Sequence, residues 1–141
     1  GDMPVPPRAP IWKGNLVWKG GTFPQIWSAG ANRFKTSPTA TDTVAYSNGN
    51  SVLFDLSGPA ASTIELQGTL TPADVVVHNP AGHDYTFGGS GQISGATNLT
   101  KSGPGRLTLG VHSFTGKTTV NQGELRLAGN LTSSTVTVTR W

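Results

Sequence analysis

The feature that most constrains the fold is an internal repeat. Residues 64–71 read IELQGTLT and residues 125–132 read LRLAGNLT, and a β-branched run follows each, at 75–77 and at 136–138. Equivalent positions keep the same spacing in both parts (64 to 125 and 75 to 136), so no insertion separates them. Apolar positions, a glycine and a threonine recur, which is typical of a structural repeat. A repeat of this length, made of short alternating segments, favours several coils of a β-solenoid over a single hairpin.

The rest of the chain predicts short strands and almost no helix. Apolar residues do not recur at helical spacing over three turns, and Gly or Pro interrupts most windows long enough for a helix. Eight segments instead alternate or run β-branched and aromatic residues, as strands do. These segments are 52–56, 63–66, 75–77, 85–87, 106–109, 118–120, 124–127 and 135–138. We therefore expect an all-β fold, a β-solenoid of short coils, with a β-sandwich as the alternative.

Composition argues against several functional classes. The chain has no cysteine, so it can build no disulfide framework, thiolate nucleophile or cysteine-based zinc site. Its net charge is +3, but the ten Lys and Arg residues are dispersed rather than clustered as in a nucleic-acid-binding surface. No apolar run approaches the length of a membrane span. We expect neither nucleic-acid binding nor a membrane span.

Catalytic chemistry has little support in the sequence. His83 and Asp84 are adjacent, but neighbours on a strand point to opposite faces, so adjacency alone forms no proton relay. Glu65 and Glu124 lie almost one repeat apart and could align as a carboxylate pair, although solvated surface charges explain them better. The three histidines are too scattered for a metal site. We predict no catalytic residue, no metal and no cofactor.

The most specific motif runs from residue 98 to residue 127. Residues 98–109 read NLTKSGPGRLTL and residues 114–127 read FTGKTTVNQGELRL. This stretch resembles the autotransporter-associated β-strand repeat, whose members read LTKxGxGxLTL, then a short aromatic-TG segment, then TTVNxGxLxL. Weaker similarity upstream extends the resemblance over most of residues 11–138.

The resemblance has four implications. It implies a right-handed parallel β-helix, export from a bacterial cell, a multi-domain parent protein and no catalytic residues, because the motif carries none. Repeats of this kind occur in autotransporter passengers and also beside the catalytic domains of secreted polysaccharide-degrading enzymes.

The domain organisation predicted from the sequence is simple. Residues 1–10 are interpreted as an expression remnant followed by a Pro-rich linker. Residues 11–141 are expected to form a single solenoid module, with a Trp-rich N-terminal portion at 11–46 and the repeat region at 52–138.

A candidate binding surface lies in the Trp-rich portion. Exposed indoles stack on the apolar faces of sugar rings, and nearby cations can bind hydroxyls or uronate carboxylates. The predicted carbohydrate-binding residues are Trp12, Trp18, Trp27, Lys13, Lys19 and Arg33. The alternative is that the tryptophans cap the solenoid or fill its core.

Together these observations predict a secreted or cell-surface bacterial protein that is not an enzyme. The expected function is that of an accessory module of a polysaccharide-degrading enzyme. Such a module would bind polysaccharide, for example a pectic or other plant cell-wall glycan, or act as a spacer beside a catalytic domain in the same parent chain. The alternative is a segment of an autotransporter passenger stalk.

Overall fold

A computed structural model describes residues 16–60, 62–110, 112–129 and 135–138. Within these ranges the protein has fifteen β-strands and no helix. The strands are β1 (Leu16–Trp18), β2 (Gln25–Trp27), β3 (Asn32–Lys35), β4 (Val44–Ala45), β5 (Val52–Phe54), β6 (Ser62–Leu66), β7 (Thr69–Leu70), β8 (Asp74–His78), β9 (Tyr85–Gly89), β10 (Gln92–Ile93), β11 (Asn98–Ser102), β12 (Arg106–Leu109), β13 (Lys117–Val120), β14 (Glu124–Leu127) and β15 (Thr135–Val138). The described residues include no helix that could cross a membrane. The predicted linker at 1–10 lies outside them.

The strands stack as successive coils of a parallel β-solenoid, which confirms the predicted fold class. The first sheet has the order β15-β13-β11-β8-β5-β1-β3-β4, and the second has the order β14-β12-β9-β6-β2. A small third sheet pairs β7 with β10. Among the described strand pairs only β1–β3 and β3–β4 are antiparallel. A sandwich of the immunoglobulin type would instead be built from antiparallel neighbours.

The strand register explains the repeat in the sequence. In the first sheet, Val75 is in register with Leu99, Leu99 with Thr118, and Thr118 with Val136. Because each step is one coil, the sequence repeat spans three coils.

In the second sheet the register differs by two residues from the sequence alignment. Leu125 occupies the column that contains Ser62, and Leu127 occupies the column that contains Ile64. A shift of two keeps each side chain on the same face of the strand, so the apolar alternation is unaffected.

Alternation of buried and exposed residues along the longer strands builds much of the core. In β6, Ile64 and Leu66 are buried while Thr63 and Glu65 are exposed. The N-terminal half of the core is aromatic. Its fully buried rings are Trp18, Trp27, Phe34, Tyr46, Phe54, Tyr85 and Phe87.

Candidate functional site

The predicted carbohydrate-binding tryptophans do not form an exposed face. Trp18 and Trp27 have no exposed surface. Trp18 stacks on Phe54 with ring centroids 5.7 Å apart, and Trp27 contacts Tyr46 edge-to-face at 5.3 Å. Since their faces are covered by other rings, these indoles cannot stack on a sugar, and the prediction is wrong for both. They fill the core instead.

Lys19 and Arg33, the two basic residues of the predicted site that the structure describes, form hydrogen bonds within the protein. The Lys19 Nζ donates hydrogen bonds to residues 41–43, the shortest being 2.7 Å to the Thr43 hydroxyl. The Arg33 Nη1 donates to the Thr22 carbonyl at 2.8 Å and to the Gln25 Oε1 at 3.3 Å. These bonds tie loops of the N-terminal portion together. The remaining predicted residues, Trp12 and Lys13, lie outside the described residues.

Sequence reasoning missed one exposed aromatic in this region. Phe23 is 91% exposed, and it is the only strongly exposed aromatic side chain in the part of the chain that the structure describes. The sequence feature that could have indicated this exposure is the position of Phe23 in the turn GGTFP at 20–24, where no alternating strand pattern directs the ring inward. A single exposed ring is common on protein surfaces and does not make a binding site.

The most unusual side chain is Lys101, the lysine of the repeat motif. It lies in an inward column between Val77 and Val120 and is fully buried. Its Nζ donates to the carbonyl oxygens of Ser102 at 2.6 Å and Gly103 at 2.9 Å. Burial lowers the pKa of Lys101 to about 8, because the charged form is poorly solvated there.

Two motif glycines make room for the stacked turns around Lys101. A Cβ at Gly123 would lie 2.4 Å from the carbonyl oxygens of Gly103 and Gly105, and 2.9 Å from the Lys101 Nζ. A Cβ at Gly103 would lie 2.4 Å from the Asn79 carbonyl oxygen. Since those contacts are closer than any real side chain permits, the glycines of the motif allow the turns of successive coils to stack directly.

Asn79 joins the same column of turns. It is fully buried, and its Nδ2 donates to the carbonyl oxygens of His83 at 2.9 Å and Arg106 at 3.0 Å. The amide therefore bonds its own turn to the next coil. Asn79 and Lys101 thus both donate side-chain hydrogen bonds to backbone carbonyl groups at this corner of the solenoid.

A glycine-rich groove lies on the second sheet. It has a volume of about 310 Å³ and is lined by residues 87–92, Gly110 and His112. The His112 Nδ1 accepts a hydrogen bond from the Ile93 N–H at 3.0 Å, and burial lowers the pKa of His112, so the ring is neutral. No carboxylate lines the groove, so it offers no acid and base pair.

The carboxylates considered for catalysis lie apart. Glu65 is in register with Gly88, whereas Glu124 pairs with Arg106 through a 2.6 Å contact in a different column. The part of the chain that the structure describes contains no group of three His, Asp or Glu side chains that could hold a metal.

The repeat that contains Lys101 also matches a known family. Residues 99–127 match the passenger-associated-transport-repeat family. The match begins within β11 and ends with β14, so this transport repeat covers the buried lysine and the stacked glycine turns. No curated protein and no solved structure matches the chain. A transport repeat is a structural repeat rather than a catalytic one, and it indicates a secreted or cell-surface bacterial protein.

Proposed function

We propose that this chain is a β-solenoid segment of a bacterial autotransporter passenger and that its role is structural, as part of a stalk. The observation that carries the proposal is the agreement between the transport repeat and the coil. The matched residues form β11 to β14, which stack in parallel register on β8, β9 and β15. The repeat is therefore a unit of coil stacking.

A stack of this kind is suited to spanning distance. Each coil adds about 4.8 Å along the axis, the spacing of paired strands, and contacts mainly its neighbouring coils. The outward positions carry short hydroxyl side chains in register, such as Thr63, Thr86 and Thr108. Thr63 is exposed, and Thr86 and Thr108 are partly exposed. The polar side chains described above bond mainly within the protein. A non-catalytic role follows from this proposal.

The other context considered was a module beside the catalytic domain of a polysaccharide-degrading enzyme. Its carbohydrate-binding part depended on exposed indoles, and Trp18 and Trp27 are fully buried. Its spacer part would use the same coils as the stalk. No contact or exposed cluster in the described residues favours that context over the passenger.

Surface display tests the stalk proposal. The full chain would replace a solenoid segment of equal length in an autotransporter passenger, and an epitope placed before it would be detected on intact cells. We expect display of the unmodified chain. Ile64→Asp places a charge in the core and should lower display at least several-fold, because an unpaired buried charge is strongly destabilising. Thr63→Asp, on the opposite face of the same strand, is the matched control and should be displayed normally.

Two results would contradict the proposal. One is retention of the unmodified chain inside the cell although the purified protein is folded. The other is retardation of the purified chain in affinity gels that contain pectic, xylan or mannan polymers, which would support the accessory-module function instead.

A further inference from the structure

We propose that an end cap closes the core and the first-sheet edge of the solenoid at its N-terminal end, whereas the C-terminal end is open, so that further coils add beyond β14 and β15. The segment 28–47 acts as an end cap and is called the N-terminal cap below. This inference deepens the stalk proposal, because it assigns the partner of the open end: another coil of the transport-repeat type, following in the same chain.

The backbone edge at the N-terminal end of the first sheet is already occupied. β1 pairs on one side with β5 in parallel and on the other with β3 in antiparallel, with Val17 opposite Lys35 and Trp18 opposite Phe34. β4 then pairs with the far edge of β3. A parallel strand cannot pair with β1 there, because its hydrogen-bonding groups already face β3.

Aromatic side chains of the cap close the core at this end. Phe34 and Tyr46 have no exposed surface. Phe34 contacts the Trp18 ring edge-to-face at 5.1 Å, and Tyr46 contacts the Trp27 ring at 5.3 Å. The terminal coil of a solenoid needs such a cover, because its inward apolar side chains would otherwise meet water.

Polar contacts fix the cap to the first coil. Lys19, just after β1, donates three hydrogen bonds to residues 41–43. Within the cap, the Asp42 carboxylate accepts hydrogen bonds from the Thr36 N–H at 3.1 Å and the Thr36 hydroxyl at 2.8 Å. These bonds hold the pKa of Asp42 below its usual value. The cap is therefore a built part of the fold.

The opposite end shows exposed core positions. Leu127 is 50% exposed, although it continues the inward column of Phe87 and Leu109, which are fully buried. Val138 is 59% exposed and continues the inward column of Val120, which is 3% exposed. In each earlier coil, the side chains at these two positions are covered by the coil that follows.

Continuity of the columns identifies the partner. A chain that covered Leu127 and Val138 while pairing with β14 and β15 in parallel would repeat the interface that each pair of neighbouring coils already makes. The cap of a second copy does not fit this position, because both edges of β3 are already paired and the Phe34 and Tyr46 rings already pack on their own first coil. A following transport-repeat coil satisfies both the strand edges and the apolar columns.

Adding one coil at either end tests this inference. One variant carries a second copy of residues 121–138 directly after Val138, and the control variant carries the same copy directly before Leu16. We expect the C-terminal copy to raise the Tm by several degrees and to slow amide hydrogen exchange in β14. The N-terminal copy should leave the Tm unchanged and be removed by mild proteolysis.

A matched substitution separates specific stacking from a general effect of added residues. Leu127→Lys should change the Tm of the original chain little, because the side chain is half exposed. In the extended chain it should abolish the gain, since it would place a charge between two coils. Equal gains from both copies, no gain from the C-terminal copy, or a gain caused by concentration-dependent dimerisation would each overturn the inference. Because none of these readouts involves export, they are independent of the surface-display test.

Discussion

Lys101 should make the stability of this protein depend on pH in the alkaline range. The pKa of Lys101 is lowered from 10.5 to about 8 in the folded state. Since the folded state loses its proton first, the unfolded state binds more protons between these two values, and stability rises with pH there. The charge-burial cost is fully present below about pH 8 and disappears progressively above it.

The expected size follows from the shift. Between about pH 7 and about pH 9.5 the free energy of unfolding should increase by about 2 kcal/mol. Burial raises the pKa of Tyr46 and Tyr85 in the folded state. These tyrosines therefore lower the stability only as the pH approaches the tyrosine pKa of the unfolded chain, near 10. Burial lowers the pKa of the neighbouring His78, so its ring stays neutral across this window.

Urea unfolding at several pH values, followed by tryptophan fluorescence, measures this effect. Lys101→Met is unbranched and nearly as long as lysine but removes the titration, so the stability of this variant should be flat across the window. Its stability at neutral pH is a poor test, because the loss of the two hydrogen bonds to Ser102 and Gly103 opposes the relief of charge burial. Parallel pH profiles for the original chain and the variant would refute the reasoning.

Three further predictions concern packing and surface charge. Gly123→Ala should destabilise the protein by about 2 kcal/mol more than Gly30→Ala. Both glycines have positive φ, but only at Gly123 would the new Cβ meet backbone oxygens. The free energies of unfolding of the two variants measure the difference, and equal losses of stability would contradict the prediction. Phe54→Ala should cost about 3 to 5 kcal/mol in chemical denaturation, because the ring is fully buried among four other aromatic rings. Glu124→Gln should cost less than about 1 kcal/mol, since its ion pair with Arg106 is half exposed, and the loss should shrink further in 1 M salt; a salt-independent loss would contradict this.

The coil architecture could be predicted because it is encoded in local alternation. Strand segments such as 75–77 and 136–138 are in the same register along the first sheet, as their spacing indicated. The two-residue difference in the second sheet could not be predicted, because a shift of two preserves the alternation. That register depends on turn lengths. The step from Ser62 to Tyr85 is 23 residues, whereas the step from Leu107 to Leu125 is 18.

The candidate site was harder to predict than the fold. An indole is both apolar and able to bind sugars, so the sequence alone does not decide whether Trp18 and Trp27 lie inside or outside the solenoid. Their burial depends on Phe34 and Tyr46, which come from a hairpin whose strands are only four and two residues long. Strands this short show too few alternating residues in the sequence for the cap to be predicted.

The most direct test of the parallel stack is a cysteine cross-link between adjacent coils. Thr86 and Thr108 are in register on neighbouring strands, about 4.8 Å apart, which is within disulfide range. The native chain has no cysteine to compete. We predict that cysteines at Thr86 and Thr108 cross-link on mild oxidation and keep the protein folded, as judged by mass spectrometry and circular dichroism. Cysteines at Thr63 and Thr108, two coils apart, should not. A folded protein that cross-links the second pair but not the first would contradict the stacking of consecutive coils.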